Sequence, residues 1–395
     1  MTDRPIRKLA AERSRALAMS AIKEMSILSA RVPDAASLAW GLPSFRTPEP
    51  IRSAVARALE GDPMIGMYAL PGGLPELATA AADEHRRRTG LTVDPASRVM
   101  IPAGNMEGLQ MIFQAILDPG DEVIVTDPGF VSHISQIRFS GGVPVFWKMD
   151  EARGWELDVE TLPALVGPRS KAIVIVSPSN PTGTILSEAS LRAAAGIARD
   201  NGLLIIIDDP YSRFTYENRD RFFDLAAVPE FADHVAYLFT FSKAYAMSGW
   251  RVAYMVVPAA LRAEIVKIHD LTMICTPRIS QVAALAALQA GPAHLAEFEA
   301  TLNRRRNLIC ERLDRVPHVF GYVRPQGAYY VFPRILVPHQ GDVRFAHDLL
   351  AKVGVTVTPG SAFGPSGASH VRMAYCVEDN VIETAFDRIE AHFGA

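Results

Sequence analysis

Residues Val235–Val257 read VAYLFTFSKAYAMSGWRVAYMVV. Two apolar runs enclose one lysine, Lys243, set among glycine, alanine and hydroxyl side chains. A lysine is rarely buried without a partner, so Lys243 either reaches water or has a special use. The runs on either side are rich in valine and aromatic residues and do not alternate with polar ones. They are expected to be strands covered on both faces.

The same texture extends upstream. From about residue 98, RVMIP, DEVIVTD, VPVFWKM, KAIVIVS and LLIIIDD are short apolar runs. NMEGLQMIFQAIL, FVSHISQIRFS and SEASLRAAAGIARDN, lying between them, have helical spacing. Alternation of strand and helix predicts an α/β fold with a mostly parallel sheet and right-handed crossovers. Ligands on such sheets bind at the carboxyl ends of the strands. Beyond about residue 285 the texture changes. QVAALAALQAGPAHLAEFEATLNRRRNLICERLDRV reads as one long helical region, followed by short strand-like pieces such as YYVFPRI and HVRMAYC. A smaller α+β domain is expected there. The N-terminal segment, basic and helical before the breaker-rich WGLPSFRTPEP, is expected to pack with it.

Composition narrows the function classes. A chain of 395 residues exceeds what one core usually supports, so two domains are expected. With 49% hydrophobic and 21% charged residues the chain can build a large core. A net charge of -3 argues against nucleic acid or an anionic membrane as partner. No apolar run reaches membrane-spanning length, and the N-terminus is too charged for a signal peptide. Cys275, Cys310 and Cys376 are far apart and odd in number. They are expected to be buried thiols in a reducing, cytoplasmic setting, with neither a disulfide framework nor a metal site.

Four strand-end loops carry chemistry. After RVMIP comes Ala103-Gly104-Asn105-Met106, a glycine turn that opens a helix. It is either an ordinary turn or an anion site made of backbone N–H groups. After KAIVIVS comes Pro178-Ser179-Asn180-Pro181, a rigid loop presenting the Asn180 amide, or a plain turn. After five aliphatic residues come Asp208-Asp209-Pro210-Tyr211. An ionised Asp208 at the end of a buried strand requires a cationic partner, unless it merely caps a helix. Tyr211 can present its phenol to the same cleft. In the opening stretch, Thr240, Ser242, Ser248 and Arg251 suit a phosphate, leaving Lys243 as the amine for covalent work. A surface lysine in a connecting loop is the alternative. Together, a Schiff-base lysine, an acid for a pyridine nitrogen and a phosphate cup are what pyridoxal phosphate requires.

At this point the chain resembles the class I aminotransferases of the fold-type I pyridoxal-phosphate superfamily. The resemblance covers nearly the whole chain. SKAYAMSGWRVAY is similar to the family's lysine signature, and SPSNPTG and IIDDPY to its asparagine and aspartate segments, in the same order. YALPGGLPEL, RPQGAYYVFP, VTPGSAFG and HVRMAY are similar to further blocks. The resemblance implies a large domain over 48–285 that binds pyridoxal 5'-phosphate, and a small domain from 1–47 and 286–395. It implies that Lys243 forms the Schiff base and moves the substrate proton, and that Asp208 pairs with the pyridinium nitrogen. Tyr211 and Asn180 would bond the ring oxygen and Phe130 would stack on the ring. Thr240, Arg251 and the backbone at Gly104, Asn105 and Met106 would hold the phosphate. Arg372, with Asn180 and the Gly41 backbone, would clamp the substrate carboxylate. Tyr68 would reach the phosphate in a neighbouring subunit, which implies a homodimer. The implied activity moves an amino group between an L-amino acid and a 2-oxo acid by a ping-pong route.

Two departures and four alternatives accompany this reading. Phe130 replaces a tyrosine common among relatives, and stacking needs only the aromatic face. Met106 stands where dicarboxylate-specific relatives often carry a lysine, and a thioether suits an apolar group. Arg278 either supplies a cation from across a dimer or is a surface arginine beside Pro277. Without the resemblance, Arg372 in the strand V-R-M reads as a solvated face. A carbon–sulfur β-lyase or a decarboxylase would use the same lysine. A cofactor-sensing transcriptional regulator would need a DNA-binding module ahead of the first block, and about forty residues are too few for one.

Overall fold

The structure is a computed structural model and describes residues 9–394. Its largest sheet has eight strands in the order Val99–Met100, Ala253–Val256, Val235–Thr240, Leu204–Asp209, Ser170–Ile175, Glu122–Asp127, Val143–Asp150, Glu156–Leu157. The five strands from Val235–Thr240 to Val143–Asp150 run parallel. The outer strands join antiparallel. All six residues of VAYLFT are buried, as a non-alternating apolar run requires. The expected strand–helix order between residues 98 and 260 is present throughout.

Helices cover both faces, so the sheet divides the interior into two cores. Ile173, Ile175, Ile205, Tyr237 and Tyr254 belong to one. Met100, Val123, Val125, Ile206 and Leu238 face the other, with Leu109, Ile112 and Phe113 of the helix Asn105–Ile116. A third buried cluster joins Phe298, Leu302, Ile309, Tyr329, Met373 and Phe386 to Met25, Ala36, Leu38 and Ala39 from the N-terminal segment. Ala36–Ser37 also pairs in parallel with Val355–Thr356, which ties that segment to the C-terminal part. The first eight residues of the basic N-terminal stretch lie outside the described residues.

One expectation about the helices is corrected. The long helical region divides into Arg278–Ala290 and Leu295–Asp314. The break falls at Gly291-Pro292, where Gly291 has φ 72° and Pro292 has no N–H to continue the ladder. The second helix starts in the first core, at Leu295, and continues in the third, at Phe298 and Leu302.

The strand Leu204–Asp209 ends in two carboxylates. Successive side chains leave a strand on opposite faces. Asp208 lines a cavity, and Asp209 points to the helix Pro75–Thr89. There Arg88 Nη2 lies 3.0 Å from both Asp209 and Asp224, and Tyr237 donates to Asp209 at 2.7 Å. Burial alone would raise the Asp209 carboxyl, but Arg88, Ser212 and Tyr237 outweigh it and hold the group below its usual range. Replacing Arg88 with Leu strands this carboxylate without its cation. The expected loss is about 3–5 kcal/mol in urea unfolding. A loss below about 1 kcal/mol would show that Arg88 is not what stabilises Asp209.

Candidate active site

A cavity of about 310 Å³ opens at the carboxyl ends of the parallel strands. Asn180, Asp208, Tyr211, Thr240, Lys243 and Arg251 all line it, each from a loop or strand end singled out in the sequence. Asn105, Met106, Phe130, Gly41 and Arg372 line it as well. Of the expected site residues, Gly104 and Tyr68 are not in its wall: Gly104 stands in the turn just before Asn105, and Tyr68 is on the surface, 74% exposed.

Lys243 sits in a one-turn helix, Phe241–Ala244, capped by Thr240. The Thr240 hydroxyl oxygen accepts from Ser242 N at 3.1 Å, and its O–H lies 2.9 Å from Ser242 Oγ. This cap turns Lys243 back over the strand end. Its Nζ donates to the Gly41 carbonyl at 2.7 Å. Burial lowers the ammonium pKa from 10.5 to about 8, and Arg372 and Arg251 push it the same way. Cys376 gives it no counter-charge at neutral pH, because burial pushes that thiol up to about 12.

Asp208 is fixed from two sides. Asn105 Nδ2 donates to Oδ1 at 2.6 Å, and His133 Nε2 lies 2.9 Å from Oδ2. Asp208 therefore caps no helix. The side chain of Asn105 serves Asp208, while its backbone N–H stands in the first turn of the helix Asn105–Ile116. N–H groups at that position have no partner inside a helix. Gly104 precedes them with φ 89°. Arg251, itself left-handed at φ 50°, reaches across this turn. Its guanidinium donates to Ser248 O at 2.9 Å and Ala103 O at 3.3 Å. A Cβ on Gly104 would come within 2.6 Å of Arg251 Nη2, and the φ of 89° strains any other residue there, so glycine suits this corner.

Arg372 is 1% exposed, which removes the solvated-face reading. Its guanidinium lies between the rings of Tyr330 (4.5 Å) and Phe363 (5.0 Å). Nη1 donates to Asn180 Oδ1 at 3.1 Å and Nη2 donates to Ala39 O, while Nε is buried without a partner. Tyr211 is buried, and its phenol oxygen lies 2.9 Å from that of Tyr330. Burial raises its pKa well above the ordinary tyrosine value, so it stays a donor. Phe130 meets His133 edge-on at 5.3 Å. Arg278 Nε pairs with Asp62 at 3.4 Å and does not line the cavity. Among the described residues, no His, Cys, Asp and Glu side chains group to suit a metal ion.

Sequence reasoning missed two residues. His133 is a buried hydrogen-bonding partner of Asp208, where a cation was expected. The signal was its spacing, three residues after Phe130 and so on one helix face with it. Tyr330 ties Tyr211 to Arg372, and nothing in the run GAYYVFP distinguishes it from Tyr329. The wall also includes Ser20, Ile22 and Lys23 from the helix Ala21–Ser29 and its cap, and Trp40 from the exit loop.

An open parallel sheet with a lysine, a carboxylate and a helix N-terminus at its strand ends defines an α/β enzyme of the cofactor-binding type. The family model for aminotransferases of class I and II matches residues 33–389. A probable aspartate/prephenate aminotransferase of Thermus aquaticus is 36% identical over 90% of each chain. An aspartate aminotransferase of Pyrococcus horikoshii is 32% identical over 96% of each. The solved alanine aminotransferase of Pyrococcus furiosus superposes with a TM-score of 0.91 at 30% identity, covering 97% of this chain and 99% of that one. The chain belongs to the class I and II aminotransferase family. It is a pyridoxal-phosphate-dependent transaminase acting on amino and 2-oxo acids. No helix among the described residues is long and apolar enough to cross a membrane.

The lowered Lys243 pKa has a direct readout. In cofactor-free protein, acylation of Lys243 by an amine-directed reagent should rise with pH through about 8, because only the neutral amine reacts. Peptide mapping by mass spectrometry gives the midpoint. A midpoint near 10.5, the ordinary value, would contradict the burial argument.

Proposed function

We propose that Lys243 is the Schiff-base lysine of this transaminase and that its preferred amino donor has an apolar side chain. One observation carries the reading. A buried guanidinium, Arg372, keeps an unpartnered Nε in the same cavity as an amine that is partly neutral at neutral pH. A buried donor without a partner is costly, so its retention favours an anionic ligand.

The residues fit the cofactor by chemistry as well as by place. The first-turn N–H groups of Asn105 and Met106, the Gly104 turn, Thr240 and Arg251 would hold the phosphate. Asp208, anchored by Asn105 and His133, would face the ring nitrogen. Tyr211 O–H and Asn180 Nδ2 would donate to the ring oxygen, and Phe130 would cover a ring face. When bound, the cofactor supplies a carbon that condenses with the substrate amine and a ring that withdraws electrons from the substrate α-carbon. Freed as an amine when substrate is bound, Lys243 would take up and move the substrate α-proton on Nζ. A pKa of about 8 keeps a useful neutral fraction at neutral pH. Arg372 receives the α-carboxylate through Nε–H and its remaining N–H groups.

Residues 48–285 would carry the cofactor, and 1–47 with 286–395 would close over the substrate. The relatives are named for aspartate, prephenate and alanine, so membership of the family leaves the donor open. Met106, Ile22 and Trp40 give the wall an apolar part, which favours an apolar donor. Met64, Met67, Tyr68 and Leu70, close together in sequence, are exposed apolar or aromatic side chains, which supports a second copy covering them. Tyr68 would then face the partner's phosphate. Three buried, unpaired thiols fit a reducing, cytoplasmic setting.

Lys243→Ala should abolish transamination, measured as 2-oxo acid release without added amine. Substantial residual turnover would remove Lys243 from its role. In a half-reaction screen, alanine, methionine or aromatic donors should bleach the loaded enzyme at least about tenfold more efficiently than aspartate. The reverse order would refute the part given to Met106.

A further inference from the structure

We infer that His269 is a positioning residue for the phosphate turn and acts through Glu107; this rests on the Gly104 turn being the phosphate site. His269 closes the helix Ala259–Thr272 and has no exposed surface. Its Nδ1 lies 3.2 Å from Glu107 Oε1, and neither ring nitrogen makes an aligned hydrogen bond. Glu107 stands in the first turn of the helix Asn105–Ile116. Its other oxygen, Oε2, accepts from Ala103 N. Ala103 O in turn accepts from Arg251 Nη2. One chain of contacts therefore runs from a buried imidazole to the guanidinium at the cavity corner.

Glu107 creates a conflict that this chain resolves. A carboxylate in the first turn is attracted by the positive helix end. A phosphate bound at the same end is attracted by the same N–H groups and repelled by the carboxylate. The polar His269 ring, with Nδ1 3.2 Å from Oε1, offsets part of the Glu107 charge through this contact without an aligned hydrogen bond. It also keeps the carboxylate turned toward Ala103 N. The turn then presents its N–H groups to a ligand rather than to its own side chain.

The test uses cofactor-free full-length protein, with inorganic phosphate and pyridoxal phosphate as separate probes and calorimetry as readout. His269→Leu should weaken both by about tenfold. Adding Glu107→Gln to that variant should restore binding to within about threefold, because the uncompensated charge is gone. Rescue by a second substitution is not expected of a side chain that only fills space. Normal binding by His269→Leu, or no rescue in the double variant, overturns the inference. Should His269→Leu not fold, as judged by its melting curve, Glu107→Gln alone decides. Unchanged or tighter phosphate binding supports the role, and a tenfold loss overturns it. Arg251→Leu separates the two levels. If it leaves phosphate binding intact, the phosphate site itself is misassigned. If it weakens binding while His269→Leu does not, only the part given to His269 fails.

Discussion

The architecture of the site depends on one buried carboxylate. Asp208 follows four aliphatic residues in the buried strand Leu204–Asp209, where an unpaired charge would be expensive. Two hydrogen-bonding partners, Asn105 and His133, come from two different helices. Each therefore has a fixed place relative to the sheet. Asn105 opens the helix that follows the glycine turn, so holding Asp208 also holds that turn. His133 opens the next helix beside Phe130. The places of Asp208, the glycine turn and Phe130, proposed above for the ring nitrogen, the phosphate and the ring face, are linked by one requirement, that a buried carboxylate be hydrogen-bonded.

The substrate side is organised around the exit loop instead. Gly41 accepts from Lys243, and Ala39 accepts from Arg372. A Cβ on Gly41 would lie 2.0 Å from the Tyr330 phenol oxygen, so the loop, Lys243 and the tyrosine pair fit together only around a glycine. Lys243 and Arg372 thus share a short stretch of backbone from outside the large sheet.

Much of this was legible in the sequence, for reasons that differ by residue. Strands buried on both faces show as unbroken apolar runs, so the sheet and its functional edge could be located from VIV, IVIV and LLIII alone. Asp208 stands immediately after such a run, and Asn180 and Lys243 in the short loops or turns that follow theirs, where a polar residue is conspicuous. Arg372 was legible only through resemblance, because an arginine in a four-residue strand has the pattern of a surface position. His133 and Tyr330 were missed because their roles depend on contacts between distant segments. The break at Gly291-Pro292 was hidden by apolar helical spacing continuing on both sides, although both residues announce it.

The paired acids at the end of Leu204–Asp209 have one more implication. Asp208 belongs to the cavity and Asp209 to Arg88, and they differ by one step along a strand whose faces alternate. Because the two residues are chemically identical, a slip by one position would still put an aspartate at one of the two destinations, with Ile207 or Pro210 at the other. The chain trace, however, would now be a residue short or long on the way to Tyr211. Ser212 forbids this by donating twice to Asp209, through its N–H and its hydroxyl. That small knot after the strand acts as the stop that tells two interchangeable side chains apart. Single-residue insertions here should be far less tolerated than the bland sequence IIIDDPYS suggests.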